Sequence, residues 1–132
     1  MLQKLTGTSL AFACALAFSA CGSGSNSQVV TLAAQMSSGE SGTATLTDNG
    51  NNTTTVVIAV SGGTDTGTQA AHIHTGTCGS NGPIYAGLNN VQGGTSTSMV
   101  AFTLASLQGN KYYINVHNSA NIANIQSCGQ IQ

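Results

Sequence analysis

The chain is poor in charge: its 132 residues include no arginine and no tryptophan. Two lysines and three acids are its only charged side chains besides three histidines, and proline occurs once. A basic surface for nucleic-acid phosphates is therefore absent, so a nucleic-acid partner is not expected. Electrostatic steering of charged partners is not expected for the same reason. The surface must instead consist of threonine, serine, asparagine, glutamine and glycine.

The N-terminal segment has the pattern of an export signal. Lys4 gives a positive start, and residues 10–18 are an apolar run too short to span a bilayer. The run ends in small residues before Cys21, which resembles a bacterial lipobox, although phenylalanine stands where leucine is common. We expect residues 1–20 to be a lipoprotein signal peptide and Cys21 to carry lipid. The alternative is an ordinary secretory signal with a chance cysteine.

The residues after this cysteine indicate how the protein is held. Residues 21–28 are rich in glycine, serine and asparagine, which is typical of a flexible tether. Attachment of more than one lipid chain gives stable anchoring, so the expected partner is a membrane. Gly22 in place of aspartate resembles the pattern for outer-membrane sorting. The expected location is the bacterial cell envelope, at the outer membrane, and no protein partner can be identified.

Residues 29–132 are sufficient for one domain. Valine, isoleucine and leucine recur in short runs bounded by turn residues, which favours an exported β domain over a disordered chain. Asn49-Gly50 is a strong hairpin signal. About seven or eight antiparallel strands predict an all-β sandwich or flattened barrel. The predicted strands are residues 28–35, 42–48, 53–61, 69–75, 84–88, 95–104, 111–117 and 127–132.

The three histidines are the main chemical feature of the sequence. His72 and His74 lie one residue apart in a predicted strand, so their imidazoles point to the same face, opposite Ile73. His117 points away from the apolar residues of its own strand. If those apolar residues face the core, all three imidazoles lie on outer faces. Such a set is a suitable first shell for copper or zinc, although histidines that only hydrogen-bond loops are the alternative.

The four cysteines lie in the signal, at the lipid-acceptor position and in the domain. Cys14 lies in the predicted signal and Cys21 is the predicted lipid acceptor, which leaves Cys78 and Cys128. Disulfides persist outside the cytosol, so a bridge between these two is expected. It would close a loop of about 50 residues and contribute on the order of 4 kcal/mol. The alternative is that one of the two cysteines ligates a metal together with the histidines.

Several motifs together resemble the CHRD domain, which is named from chordin and is widespread in bacterial exported proteins. The resemblance covers roughly residues 29–132. Two family features are missing: a Glu-Val-Pro-Pro stretch after the first strand, and an arginine at the position of Cys128. The matching motifs are Gly42-Thr43-Ala44-Thr45-Leu46, Val60-Ser61-Gly62, Ala70-Ala71-His72-Ile73-His74, Asn81-Gly82-Pro83, Tyr112-Tyr113-Ile114-Asn115-Val116-His117-Asn118, Ala120-Asn121 and Gly129-Gln130-Ile131.

A more distant resemblance is to copper/zinc superoxide dismutase, which is a Greek-key β fold. His72, His74 and His117 occur in the order of copper ligands in that family, and Cys78 and Cys128 occur where its disulfide lies. The resemblance therefore implies a copper site and a disulfide. The bridging histidine, the zinc-site histidines and the arginine that guides superoxide are all absent. The resemblance supports copper binding more than dismutase activity.

The sequence therefore predicts a lipid-anchored protein of the CHRD type that binds one copper ion through its histidines, with copper favoured over zinc. A metal-free structural or adhesive surface module and a copper-dependent redox enzyme of the superoxide-dismutase type are the alternatives. No catalytic residues are assigned. Met36 is considered as an added soft ligand, but a gap-filling role is favoured. Glu40 and Asp65 are considered as carboxylates that orient an imidazole, but solvated loop positions are favoured.

Overall fold

The computed structural model describes residues 26–132, which form an antiparallel all-β domain. The predicted signal peptide and the predicted lipid acceptor Cys21 lie outside the described residues. Within the described part of the chain, no helix is long and apolar enough to cross a membrane. The elements are β1 (Ser27–Ala34), β2 (Ser41–Asp48), β3 (Thr54–Ser61), β4 (Gln69–Thr75), β5 (Ile84–Val91), β6 (Thr95–Val100), α1 (Leu104–Leu107), β7 (Tyr112–His117) and β8 (Ile125–Ile131).

The eight strands form one sheet in the order β5-β4-β7-β8-β1-β2-β3-β6. The two edge strands, β5 and β6, approach each other through Asn89. Its backbone N–H donates to Ser98 Oγ at 2.8 Å, and its side-chain amide donates to the Thr97 carbonyl at 2.6 Å. The sheet is thus a nearly closed barrel. Strands β4, β5, β6 and β7 form a Greek key, in which β7 returns to pair with β4. The predicted fold class is confirmed.

Strand β1 joins the two halves of the barrel. Residues 27–32 pair with β2, whereas Ala33 and Ala34 pair with β8. β8 can come close to β1 because residue 129 is glycine: an added Cβ there would lie 2.4 Å from the Thr31 carbonyl oxygen. A side chain at Gly129 would therefore push the two halves apart.

The core consists of the apolar side chains that alternate inward along the strands. In β3, for example, Val56, Ile58 and Val60 are buried while the residues between them are not. Ile73 of β4 and Ile114 of β7 are fully buried in the same cluster. Because side chains alternate, their neighbours in β4 and β7 point to the opposite, outer face of the barrel.

Two predicted strands end three or four residues from the expected position, whereas the last residues of the others agree to within one residue. The strand predicted over residues 95–104 ends at Val100, because Thr103 caps the short helix α1. The Thr103 hydroxyl accepts from the Ser106 N–H at 3.1 Å, and buried Leu104 and Leu107 anchor the helix against the core. The short strand predicted to end at residue 88 continues to Val91.

Candidate metal centre

The three histidines meet on the outer face of the barrel. His72 and His74 lie on β4, and His117 ends β7, which pairs directly with β4. One nitrogen from each ring lies within 4.8 Å of the other two, and no cysteine, aspartate or glutamate of residues 26–132 joins this group. The arrangement predicted from the strand pattern, with two imidazoles from one strand and one from another, is present.

The outer face carries the histidines as expected, but two of them are not exposed. His74 and His117 are only 8 % and 6 % exposed, whereas His72 is partly exposed. The loop after β4 and the loop after β7 fold back over the rings and contact them through Gly82 and Ile122. The result is a site with two buried rings and one side, at His72, that solvent can reach.

Two backbone carbonyls fix which nitrogen of each buried ring carries hydrogen. His74 Nδ1 lies 2.8 Å from the Gly82 carbonyl oxygen, and His117 Nδ1 lies 2.7 Å from that of Ile122. A carbonyl oxygen only accepts, so both Nδ1 atoms donate, and in the neutral rings both Nε2 atoms keep a lone pair. Backbone partners of this kind orient histidines that ligate metals.

The third ring completes a converging set of nitrogen atoms. His72 Nδ1 lies 3.0 Å from His117 Nε2. Because His117 Nε2 has no hydrogen, His72 Nδ1 donates in this pair. His74 Nε2 is buried and has no hydrogen-bond partner anywhere in residues 26–132. Buried acceptors normally have a partner such as an ordered water or an ion, and an imidazole nitrogen in this state fits a metal ion.

The environment of the site favours neutral rings. Burial lowers the pKa of His72, and the neighbouring His117 and His74 lower it further. Burial also lowers the pKa of His117, against the hydrogen bond to the Ile122 carbonyl, which raises it. Since the ordinary pKa of histidine is already below 7, both rings are neutral at pH 7. Neutral imidazole is the form that binds a metal ion.

Tyr113 holds both a ring and a loop in place. It is fully buried and stacks on His74, with ring centroids 5.2 Å apart. Its hydroxyl accepts from the Gly82 N–H at 3.0 Å, so the same residue supports the loop whose carbonyl binds His74. The rings of the other two tyrosines, Tyr85 and Tyr112, contact each other in a tilted arrangement, with centroids 4.3 Å apart.

The backbone at Gly82 leaves no room for a side chain. A Cβ added there would lie 1.7 Å from the Thr75 carbonyl oxygen, so Gly82→Ala must displace the loop and its contact with His74. If the three rings hold a metal ion, this variant should bind it roughly 10- to 100-fold more weakly, because metal sites lose affinity by that amount when an orienting partner is lost. The affinity can be measured by titration against a chelator of known strength.

Gly87 provides the control for this prediction. Gly87 lies on β5, opposite His72 of β4, and a Cβ added to Gly87 would meet nothing within 4 Å. Gly87→Ala should therefore leave the copper affinity unchanged. Equal affinities in the two variants would contradict the role assigned to the Gly82 carbonyl.

The predicted disulfide is present. Cys78 and Cys128 are bonded, with their Cα atoms 6.0 Å apart, so neither sulfur is a free metal ligand. The bridge ties the loop after His74 to β8. Gln130 of β8 also holds this loop. Its side-chain amide accepts from the Cys78 N–H at 3.3 Å and donates to the Gly76 carbonyl at 3.1 Å.

The other side chains considered from the sequence do not bind the rings. Met36 is 70 % exposed in the turn after β1, so the gap-filling role predicted for it is wrong. Glu40 is 2 % exposed, so its predicted solvated position is also wrong. Its carboxylate accepts from Gln69 Nε2 at 2.7 Å and Ser127 Oγ at 2.9 Å, which ties β4 to β8.

Asp65 anchors the loop that covers His117. Its carboxylate accepts from the hydroxyl and the N–H of Ser119, each at 2.6 Å, and these bonds lower its pKa. Ser119 lies in the loop that carries Ile122. Neither Asp65 nor Glu40 hydrogen-bonds an imidazole. Their carboxylates instead hold the strands and the loop around the histidines.

The domain is thus a small Greek-key β-barrel that carries a cluster of three histidines on its outer face. The family model of the CHRD domain matches residues 18–123, and the chain belongs to this family. The match contains all three histidines and strands β1 to β7, begins inside the predicted signal peptide, and ends before β8. Comparisons with curated proteins and with solved structures found no match. The resemblance to superoxide dismutase therefore rests on the residue pattern alone.

Proposed function

We propose that this CHRD protein is a binding module of the bacterial cell envelope that holds one copper ion. The proposed ligand atoms are His72 Nδ1, His74 Nε2 and His117 Nε2. The observation that carries the proposal is the buried His74 Nε2, which has no partner among the described residues, on a ring that has one nitrogen within 4.8 Å of a nitrogen of each of the other two rings. Copper titration of the metal-free protein tests it, with one ion per chain expected.

The donor set favours copper over zinc. Imidazole suits both metals, and copper binds such sites more tightly in the general order of divalent metal affinity. Structural zinc sites are almost always closed by four protein ligands, often with thiolates. Here both cysteines of the described domain are bonded to each other, and no carboxylate joins the three rings. Three histidines without a fourth protein ligand therefore do not form a structural zinc site, and the order of affinities favours copper.

The protein's own groups must make one change to bind the ion. His74 and His117 already present Nε2 lone pairs, since their Nδ1 hydrogens are held by carbonyls. His72 must release the Nδ1 hydrogen that it shares with His117, and its Nε2 must take up a hydrogen in its place. Because His72 is the partly exposed ring, solvent can exchange that proton. Bound copper would supply an electrophilic ion that can cycle between two oxidation states.

The partly exposed ring also favours a role in capture or delivery. An ion held by two buried rings and one partly exposed ring could enter and leave on the side of His72, which solvent reaches. A copper-dependent redox enzyme needs an open coordination position, and the same exposed side could provide it. Turnover that disappears in the histidine variants would identify the enzyme; copper binding without turnover identifies the binding module.

The envelope location is proposed from the N-terminal sequence. An apolar run followed by small residues and Cys21 supports lipid attachment to that cysteine, at the outer membrane. We expect Cys21→Ser to move the protein from the membrane fraction to the soluble envelope fraction. Cys14→Ser, which changes a cysteine inside the predicted signal, is the matched control and should stay with the membrane. A Cys21→Ser protein that still sediments with membranes would contradict the lipid anchor.

A further inference from the structure

Asn115 lies at the base of the three-histidine cluster. In the pairing of β4 with β7 it stands directly opposite His72, and on its other side it stands opposite Cys128 of β8. Along β7 it is flanked on the same face by Tyr113 and His117. Directly opposed residues on one face of an antiparallel pair have Cβ atoms roughly 5 Å apart. The register therefore places this side chain on the face that carries the histidines, next to His72.

The amide is buried and incompletely satisfied. Asn115 is 2 % exposed, and its Oδ1 has no hydrogen-bond partner in the described chain. An unsatisfied buried acceptor costs about 1–3 kcal/mol, and asparagine is depleted in strands. Within residues 26–132 only His74 Nε2 and Ser96 Oγ share this state, and Ser96 is on β6 in the other half of the barrel. Two of the three unsatisfied atoms thus lie on the histidine-bearing face.

The three histidines and Cys128 have no hydrogen to offer Asn115 Oδ1. The Nδ1 hydrogens of His74 and His117 go to backbone carbonyls, and that of His72 goes to His117. Cys128 is bonded to Cys78 and carries no thiol hydrogen. A buried acceptor oxygen that receives no hydrogen from these side chains is suited to a positive ion.

We propose that Asn115 Oδ1 is a fourth donor atom for the ion that the three histidines bind. The inference rests on the proposed function. Amide oxygen is a weak, long ligand to copper in sites where glutamine takes the axial position, so the chemistry has a precedent. With it, β7 would supply an oxygen donor in addition to the three ring nitrogens.

The test compares two substitutions at this residue in the full chain. Asn115→Leu has a similar volume and no oxygen; we expect it to bind copper roughly tenfold more weakly. Its paramagnetic resonance spectrum with divalent copper should differ from that of the wild type, because one donor is lost. Asn115→Asp keeps an oxygen, so it should restore the affinity to at least the wild-type value. Asn90→Ala, on the exposed face of β5, is the control for a change of asparagine elsewhere.

The metal-free proteins separate ligation from a structural role. Replacing an unsatisfied buried amide with an apolar side chain of the same shape is near neutral or stabilising, so metal-free Asn115→Leu should melt no lower than the wild type. A lower melting temperature of metal-free Asn115→Leu would overturn the inference. A copper affinity and spectrum of Asn115→Leu equal to those of the wild type would also overturn it. If the wild-type protein itself takes up no copper, the proposed function fails. If it does and Asn115→Leu matches it, only this inference fails.

Discussion

A protein with both His72→Ala and His117→Ala should take up no copper at concentrations where the wild type binds one ion per chain. The substitutions remove two of the three converging nitrogens and leave His74 as a single buried imidazole. Loss of an orienting partner alone weakens metal sites about 10- to 100-fold, so loss of two ligands should cost more than roughly 100-fold. Calorimetry and competition with a chelator measure the change.

The same variant separates the binding module from a metal-free structural module. Asn90→Ala is the control, since this exposed residue of β5 is outside the cluster. If the histidines only fix the ends of the sheet, the double variant should lose stability while copper has no effect on either protein. Saturable copper binding that is unchanged in the double variant would contradict the proposed site.

Replacing Cys78 and Cys128 together with alanine should lower the free energy of unfolding by about 4 kcal/mol. The two residues are 50 apart in sequence, and the bond removes the freedom of that long loop from the unfolded chain. For a domain of this size the loss corresponds to a melting temperature lower by roughly 15–25 °C. Denaturant titration and calorimetry of the metal-free protein measure both quantities.

The reducing agent dithiothreitol provides the control for the disulfide. It should destabilise the wild type by a similar amount and leave the double-alanine variant unchanged. The variant should also bind copper more weakly, because the bridge holds the loop that brings the Gly82 carbonyl to His74. Equal stabilities of the wild type and the variant would contradict the contribution assigned to the bridge.

The alternation of apolar side chains was enough to predict most strands. In β3, Val56, Ile58 and Val60 face the core as the sequence indicates. The pattern failed where local hydrogen bonding decides the structure: the Thr103 hydroxyl caps α1, so the apolar residues after Val100 do not continue β6. The closure of the barrel through Asn89 is a contact between distant strands, and nothing in the local pattern indicates it.

The ligand residues were predictable, but their surroundings were not. The spacing of His72 and His74 places both rings on one face of a strand, and pairing with β7 adds the third. Their burial depends on two loops, whose contacts with the rings are made by the backbone carbonyls of Gly82 and Ile122. Backbone atoms have no signature in sequence, although the glycine before Pro83 marks a tight approach.

Buried polar residues were the other limit of the sequence reasoning. Glu40 follows a glycine in a turn-rich segment, which is typical of a solvated position, yet it is buried by bonds to Gln69 and Ser127. In the sequence, Asn115 is likewise a single polar residue between apolar ones, with no sign of a role. Only the pairing of β4 with β7 places it opposite His72, on the face that carries the histidines. Such residues are identified only when the strands that surround them are known.

The most direct test of the proposed copper site is elemental analysis of the protein purified from the organism that naturally produces it, without added metal. The account predicts about one copper per chain in the wild type, because three imidazoles converge there, and none in the His72→Ala, His117→Ala variant. A purified wild-type protein without copper, or one whose copper content is the same in that variant, would contradict it.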